Sequence, residues 1–338
     1  MTGFRPLTAV FLLIASFAAA QAPDAFKAAL DNARSSEPMT RSQAADELGA
    51  SRRAEAIPVL EGLLGDAHPF VRASACNALG MQRSGGSVAK IAKVLATDAD
   101  ARVRQAAATS FAYIGDASAA PALVDALKDA AAPVRQASMR ALGKLHAAGA
   151  VAGLTGALSD ADASARKVAA ASLGEIGSKD ATAALVKALS DADAGVRGEA
   201  AKSLGLLADP SAKTALSSAL SDSDAAVRVQ AAASLAKGGD ASGLPAAYAA
   251  LKAKDAPTRQ LAASVVGLVG DAKGLAPLEA ARAAEKDANA RGVEDFALSQ
   301  LRSRLGDAAK APVKPAKKAP VAPKKPALPK KAPVKVTK

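Results

Sequence analysis

Asp191-Ala192-Asp193-Ala194-Gly195-Val196-Arg197, running on through Ala200 and Ala201 to Leu204-Gly205, is one copy of a phrase that recurs along most of this 338-residue chain. Its arginine falls at Arg41, Arg72, Arg104, Arg135, Arg166, Arg197, Arg228, Arg259 and Arg291, at intervals of 31 or 32 residues. Self-similarity of that period marks stacked supersecondary units rather than one closed domain. Seven residues after each arginine stands an apolar side chain: Leu48, Leu79, Phe111, Leu142, Leu173, Leu204, Leu235, Val266 and Leu298. The residue before the arginine is usually Val or Ala, so two apolar anchors lie eight residues apart, near one face after about two helical turns. Alanines between them permit close packing and have the best intrinsic helix propensity. The phrase reads as the second helix of each unit.

An upstream helix is marked by Leu60, Ile91, Leu123, Leu154, Leu185, Leu216, Ala247 and Leu278, in the same spacing. Pro121 opens its clearest copy, and Pro58, Pro245 and Pro277 recur at or beside that slot, where a first-turn amide has no internal partner to lose. Two helices of about 12 residues and two tight turns fill the period. Each pair carries an apolar stripe that it cannot bury alone, so the pairs must stack. The expected fold is all-α: an α/α superhelix of about nine short helix pairs across residues 21–308, opened by a helix at 24–33 and ending near Leu305.

Asp100, Asp162, Asp193, Asp224, Asp255 and Asp287 sit three residues before the Val or its equivalent, placed to cap the second helix by accepting its free amides. His68 and Ala131 take that place in two copies. A further row, Asp66, Asp98, Asp129, Asp160, Asp191 and Asp222, lies two residues earlier. Stacked one unit per step, these acids and the nine arginines form a charged ridge. Each guanidinium fork is expected to bridge turn acids or carbonyls of its own or the adjacent unit.

The quoted phrase and its spacing resemble the short bacterial HEAT repeats also found in phycobilisome-lyase-like proteins, over about residues 24–305. The resemblance implies a right-handed superhelix of antiparallel helix pairs, with first helices largely convex and second helices largely concave. It implies a scaffold or binding surface, and a few such proteins assist chromophore attachment to cysteine-bearing partners. The quoted residues carry over as structural positions only.

The two ends differ from the body. Arg5, the apolar run from Leu7 to Phe17 and Ala18-Ala19-Ala20 before Gln21 make the pattern of a secretory signal peptide over residues 1–20. The run is short of the roughly 20 residues a membrane span needs. The expected location is outside the cytoplasm, in the periplasm or at the cell envelope. Residues 309–338 hold ten lysines (Lys310, Lys314, Lys317, Lys318, Lys324, Lys325, Lys330, Lys331, Lys335 and Lys338), seven prolines and no acid. Proline removes donors and the lysines repel one another, so this segment reads as an extended, disordered basic tail. It accounts for most of the net charge of +12: without Arg5 and those ten lysines, the 44 basic residues fall to 33 against 32 acidic. Cys76 is the one cysteine, so no intramolecular disulfide can form, and its neighbours Ala75, Ala78 and Leu79 make it a buried, inert thiol.

Catalysis needs converging groups, and the sequence offers few. His68 and His146 lie 78 residues apart, and neither has metal-ligand spacing. Acid pairs such as Asp98 and Asp100 lack the dense loop and bidentate glutamate of a calcium site. Gly115, Gly143, Gly174 and Gly205 read as residues that end or closely follow the second helix, not as a phosphate loop. Tyr113 and Tyr248 are too sparse for a base-stacking platform. Neither an enzyme nor a cofactor or metal is expected. The chain reads as an exported scaffold that binds a protein partner, its tail contacting an anionic lipid, lipopolysaccharide or wall polymer. Two alternatives stand beside it: a lyase-like accessory protein acting on a chromophore or partner protein, and a nucleic-acid-binding repeat protein. Partner specificity should lie in the residues that break the repeat.

Overall fold

The computed structural model describes residues 23–306; the leader reading and the ten-lysine tail lie outside the described residues. Eighteen α-helices among the described residues form nine consecutive pairs. The pairs are α1 (Pro23–Asn32) with α2 (Pro38–Ser51), α3 (Ile57–Leu63) with α4 (Pro69–Met81), and α5 (Val88–Thr97) with α6 (Ala101–Ile114). Then come α7 (Ala120–Asp125) with α8 (Ala132–Lys144), α9 (Val151–Ala157) with α10 (Ala163–Ile176), and α11 (Thr182–Ala188) with α12 (Ala194–Leu207). The last three are α13 (Lys213–Ala219) with α14 (Ala225–Lys237), α15 (Leu244–Ala250) with α16 (Ala256–Val269), and α17 (Leu275–Ala284) with α18 (Ala288–Leu305). The fold is an α/α solenoid of nine helix pairs.

The first helices are shorter than their spacing suggested. From α3 onward each is preceded by a three-residue 3₁₀ turn, and the α-helical part then runs only six to ten residues. In five of these eight turns a side chain reinforces the tightening, while the turns after Arg53, Ser84 and Ala147 form without one. Asp116, Ser178, Asp209, Asp240 and Asp271 each accept the amide two residues on, which tightens the chain before an α-helix can start. The third turn residue is small and buried, as at Ala56, Ala119, Ala181 and Gly243; a Cβ on Gly243 would stand 2.4 Å from that of Ala232, so this turn presses directly on the second helix of the preceding unit.

The two rows of anchors make the core. Leu48, Leu79, Phe111, Leu142 and Leu173 from the second helices, with Leu60, Ile91, Leu123, Leu154 and Leu185 from the first, are fully buried. Consecutive second helices pack directly on one another, whereas first helices meet their neighbours across surface grooves. The tighter layer is the one that must lie on the inner side of a curved stack.

Small residues set that spacing, and here the glycines depart from the sequence reading. Gly115 does end α6 in the left-handed conformation, at φ 76°. Gly143, Gly174 and Gly205 lie inside α8, α10 and α12, where they allow the next second helix to approach. A Cβ on Gly174 would stand 2.5 Å from Ser203 Oγ, and one on Gly205 would stand 2.4 Å from Ser234 Oγ. Those serines use the closeness: Ser172, Ser203 and Ser234 each donate to a carbonyl of the preceding second helix at 2.8 Å, reaching Met139, Ala170 and Ala201.

Candidate functional site

The helix-pair turns carry a ladder of charged contacts. Arg72 Nε and Nη2 donate to the two carboxylate oxygens of Asp98 at 2.6 and 2.8 Å, while Nη1 donates to the carbonyls of Asp66 and Ala67 in its own unit. The same fork joins Arg41 to Asp66, Arg104 to Asp129, Arg135 to Asp160, Arg166 to Asp191, and Arg197 to Asp222. The turn acid also holds its own loop: Asp98 Oδ1 accepts the amide of Asp100, and Asp160 Oδ1 that of Asp162. The guanidinium bonds, reinforced by that amide and opposed by burial, hold these carboxylates below their ordinary range. The arginines are raised in turn.

The last rung uses a glutamate outside the aspartate row drawn from the sequence. Arg259 forks onto Glu285 at 2.6 and 2.8 Å, and this bond is the main reason that the Glu285 carboxyl is held down at about 2. Continuing the row would have reached Glu285, since it lies two residues before the Asp287 cap. Arg291 donates to the Glu285 carbonyl.

All six capping-position aspartates accept first-turn amides: Asp100 from Arg102, Asp162 from Ser164, Asp193 from Val196, Asp224 from Ala226 and Val227, Asp255 from Thr258, and Asp287 from Ala290. His68 and Ala131 make no such bond. The His68 ring lies 5.2 Å from that of Phe70, and its buried Nδ1 has no partner. His146, in the left-handed region at φ 46°, places Nδ1 2.8 Å from the Glu175 carbonyl oxygen, so the two histidines serve separate units. Cys76 is fully buried, and desolvation pushes its thiol up to about 12, outside the range of a nucleophile. Among the described residues no three His, Cys, Asp or Glu side chains converge as a metal site, and no helix is long and apolar enough to cross a membrane.

The ladder breaks once between its ends. Arg228 donates Nη1 to the carbonyls of Asp222 and Ser223, at 2.7 and 2.9 Å, like every other rung. The place of the next acid is taken by Ala253, between Lys252 and Lys254. A second irregularity follows in α18, where Glu294 is fully buried and both its carboxylate oxygens lack partners. The same position holds alanine or Ser138 in the eight earlier second helices.

Away from the ladder, the exposed edge of the second helices carries large apolar groups in register. Met81, Tyr113, Leu206 and Leu268 all lie nine residues after a ridge arginine and are 40 to 60% exposed. Lys144, Glu175 and Lys237 fill the same position in the units between. Met39 and Phe70 share another position, two before the arginine, and Arg102 stacks 4.9 Å from the Phe70 ring. The anchor periodicity conceals these residues, because they differ from unit to unit.

The family model of HEAT repeats matches residues 23–107, 88–170, 151–222 and 213–299. Among solved structures, YibA of E. coli is similar at 19% identity and a TM-score of 0.54, over 79% of this chain and 97% of that one. The Kap95p–RanGDP structure is similar at 14% identity and a TM-score of 0.58, over 85% of this chain and 46% of that one. The complex of CpcE and CpcF of phycocyanin lyase from Nostoc sp. PCC7120 matches at 24% identity and a TM-score of 0.42, over 63% and 87% of the respective chains. No curated protein matches.

Proposed function

Because the chain belongs to the HEAT repeat family, we propose that it is an exported, non-enzymatic scaffold that binds a protein partner along the exposed edge of its second helices. The observation that carries this reading is the in-register row of Met81, Tyr113, Leu206 and Leu268, interspersed with Lys144, Glu175 and Lys237. Large exposed apolar groups rimmed by charges mark protein contacts better than nucleic-acid ones, which need a continuous basic groove. Kap95p, of similar fold, is described as binding RanGDP, which supports a macromolecular partner. The leader at residues 1–20 directs export, and the lysines of residues 309–338 add salt-sensitive contact with an anionic envelope component.

The test is affinity capture from an envelope fraction with the mature protein, a Tyr113→Ser/Leu206→Ser variant and a form truncated after residue 308. Recovery of one protein by the mature form and its loss with the double variant is the expected result. Tail deletion should weaken attachment to anionic vesicles and leave that protein bound. Equal recovery by the wild type and the double variant would remove the second-helix edge from the reading.

A further inference from the structure

We propose that the broken rung at Arg228 is a binding site for a carboxylate of an acidic peptide segment. The argument begins with what the chain does elsewhere. In every other fork from Arg41 to Arg259, Nε and Nη2 close on one carboxylate of the following turn, so the local backbone presents a guanidinium in the orientation that takes a planar carboxylate. At Arg228 that orientation is kept by Nη1, held by the carbonyls of Asp222 and Ser223. The following turn offers Ala253, and Nε and Nη2 have no carboxylate among the described residues.

The surroundings favour an anion from outside. Lys252 and Lys254 flank the gap, both exposed and without an acidic partner among the described residues. The nearby acids are engaged: Asp222 with Arg197, Asp224 with the first amides of α14, and Asp255 with Thr258. Beyond the same turn, Lys252 and Lys254 join Lys286, Leu251, Pro277 and Ala281 around a groove of about 710 Å³, whose one acid, Glu285, is taken up by the Arg259 fork. A peptide carboxylate seated on Arg228 could therefore continue with further acidic and small side chains past the lysines. Six aspartate rungs and one glutamate rung in this protein show that a carboxylate fits the fork, which is why an acidic peptide is chosen over a phosphate.

This inference deepens the scaffold reading by giving the chemistry of a partner segment, yet the site lies at the turns, away from the second-helix edge. Its test uses the full chain and a fluorescein-labelled octaaspartate peptide, followed by anisotropy and by the Arg228 Nε–H resonance. Ala253→Asp should close the rung from within, raising the unfolding temperature and weakening peptide binding about tenfold. Ala130→Asp adds the same charge beside a closed rung and should leave binding at the wild-type level. Arg228→Lys keeps the charge without the fork and should weaken binding as Ala253→Asp does, even if that variant folds poorly. Equal binding by wild type, Ala253→Asp and Arg228→Lys would overturn the site, as would an Arg228 resonance unmoved by peptide. Displacement of the peptide by an equimolar amount of inorganic phosphate would overturn the choice of a carboxylate peptide. Loss of partner capture with intact octaaspartate binding would sink the scaffold reading alone.

Discussion

Arg135 makes four hydrogen bonds, two to the carboxylate of Asp160 and two to the carbonyls of Asp129 and Ala130. Removing its side chain leaves the Asp160 carboxylate with only the Asp162 amide and opens the carbonyls of Asp129 and Ala130 to water. Arg135→Ala should cost about 1–3 kcal/mol in urea unfolding; an unchanged midpoint would show that the ridge contributes nothing to stacking. Because the ridge aspartates are depressed in the folded chain, their stabilisation is present above the ordinary carboxylate pKa near about 4 and is lost as pH falls through the lowered values. Arg135→Ala should therefore lose less stability than wild type between neutral and acid pH. Glu294 behaves in the opposite sense. Burial, with Glu285 and Asp295 adding repulsion, raises its carboxyl, and outweighs the pull of Arg259 and Arg291. Its charged form weakens the fold at neutral pH, and that penalty disappears as pH falls and the group protonates. Glu294→Gln should raise the melting temperature at pH 7 and converge on wild type in acid; a lower value at pH 7 would mean the two arginines dominate.

At the scale of the element, helix propensity and packing pull apart at glycine. Gly62 in α3 and Gly174 in α10 are both helical, but a Cβ on Gly62 meets nothing within 4 Å, while one on Gly174 meets Ser203 Oγ, Cβ and Cα at 2.5, 2.8 and 3.0 Å. Gly62→Ala should stabilise by about 0.5–1 kcal/mol, the gain in propensity alone. Gly174→Ala should destabilise by about 1–3 kcal/mol, because forcing α10 and α12 apart also breaks the bond from Ser203 to Ala170. Thermal unfolding of the pair decides it, and a shift of the same sign in both would remove the close approach as the cause. A similar local competition acts before some of the first helices, where the side chains of Asp209 and Asp240 accept the amide two residues on and favour the tighter 3₁₀ turn.

For the whole molecule, the substitutions at one junction add up. The buried core divides there: Phe26 to Leu235 form one cluster, Val229 to Leu301 another, and α14 gives residues to each. Packing between α14 and α16 is thinner than between the preceding pairs of second helices. The missing acid is Ala253, the first-helix anchor shrinks to Ala247, and the serine that bridges earlier helices is replaced by Val265. Ala236 stands where earlier second helices carry Gly143, Gly174 and Gly205, so the closest approach is lost as well. In a solenoid, stability is a sum over units and the interfaces between neighbours, so a weak interface divides it. Amides of α16 and α18 should exchange with solvent as one block, before those of α4 to α12, and Ala253→Asp should slow that block. Uniform protection through all nine pairs would contradict the division.

The sequence by itself determined the period, the all-α class, the paired helices and the two rows of anchors, nine in the second helices and eight in the first, because stacking imposes the same face on every unit and so writes it repeatedly. It also carried the arginine fork and the capping aspartates, whose partners lie at fixed offsets of a turn or one repeat. What only the tertiary structure decided is what happens across unlike neighbours. Glycines read as helix ends became points of helix contact, since their role depends on Ser172, Ser203 and Ser234 in the next unit. Glu285 entered the ladder, and Glu294 was enclosed where alanine usually packs. Ala253 is an ordinary alanine in the linear chain; it becomes a gap only when Arg228 is placed opposite it with its fork open, because an absence has meaning only against the geometry around it.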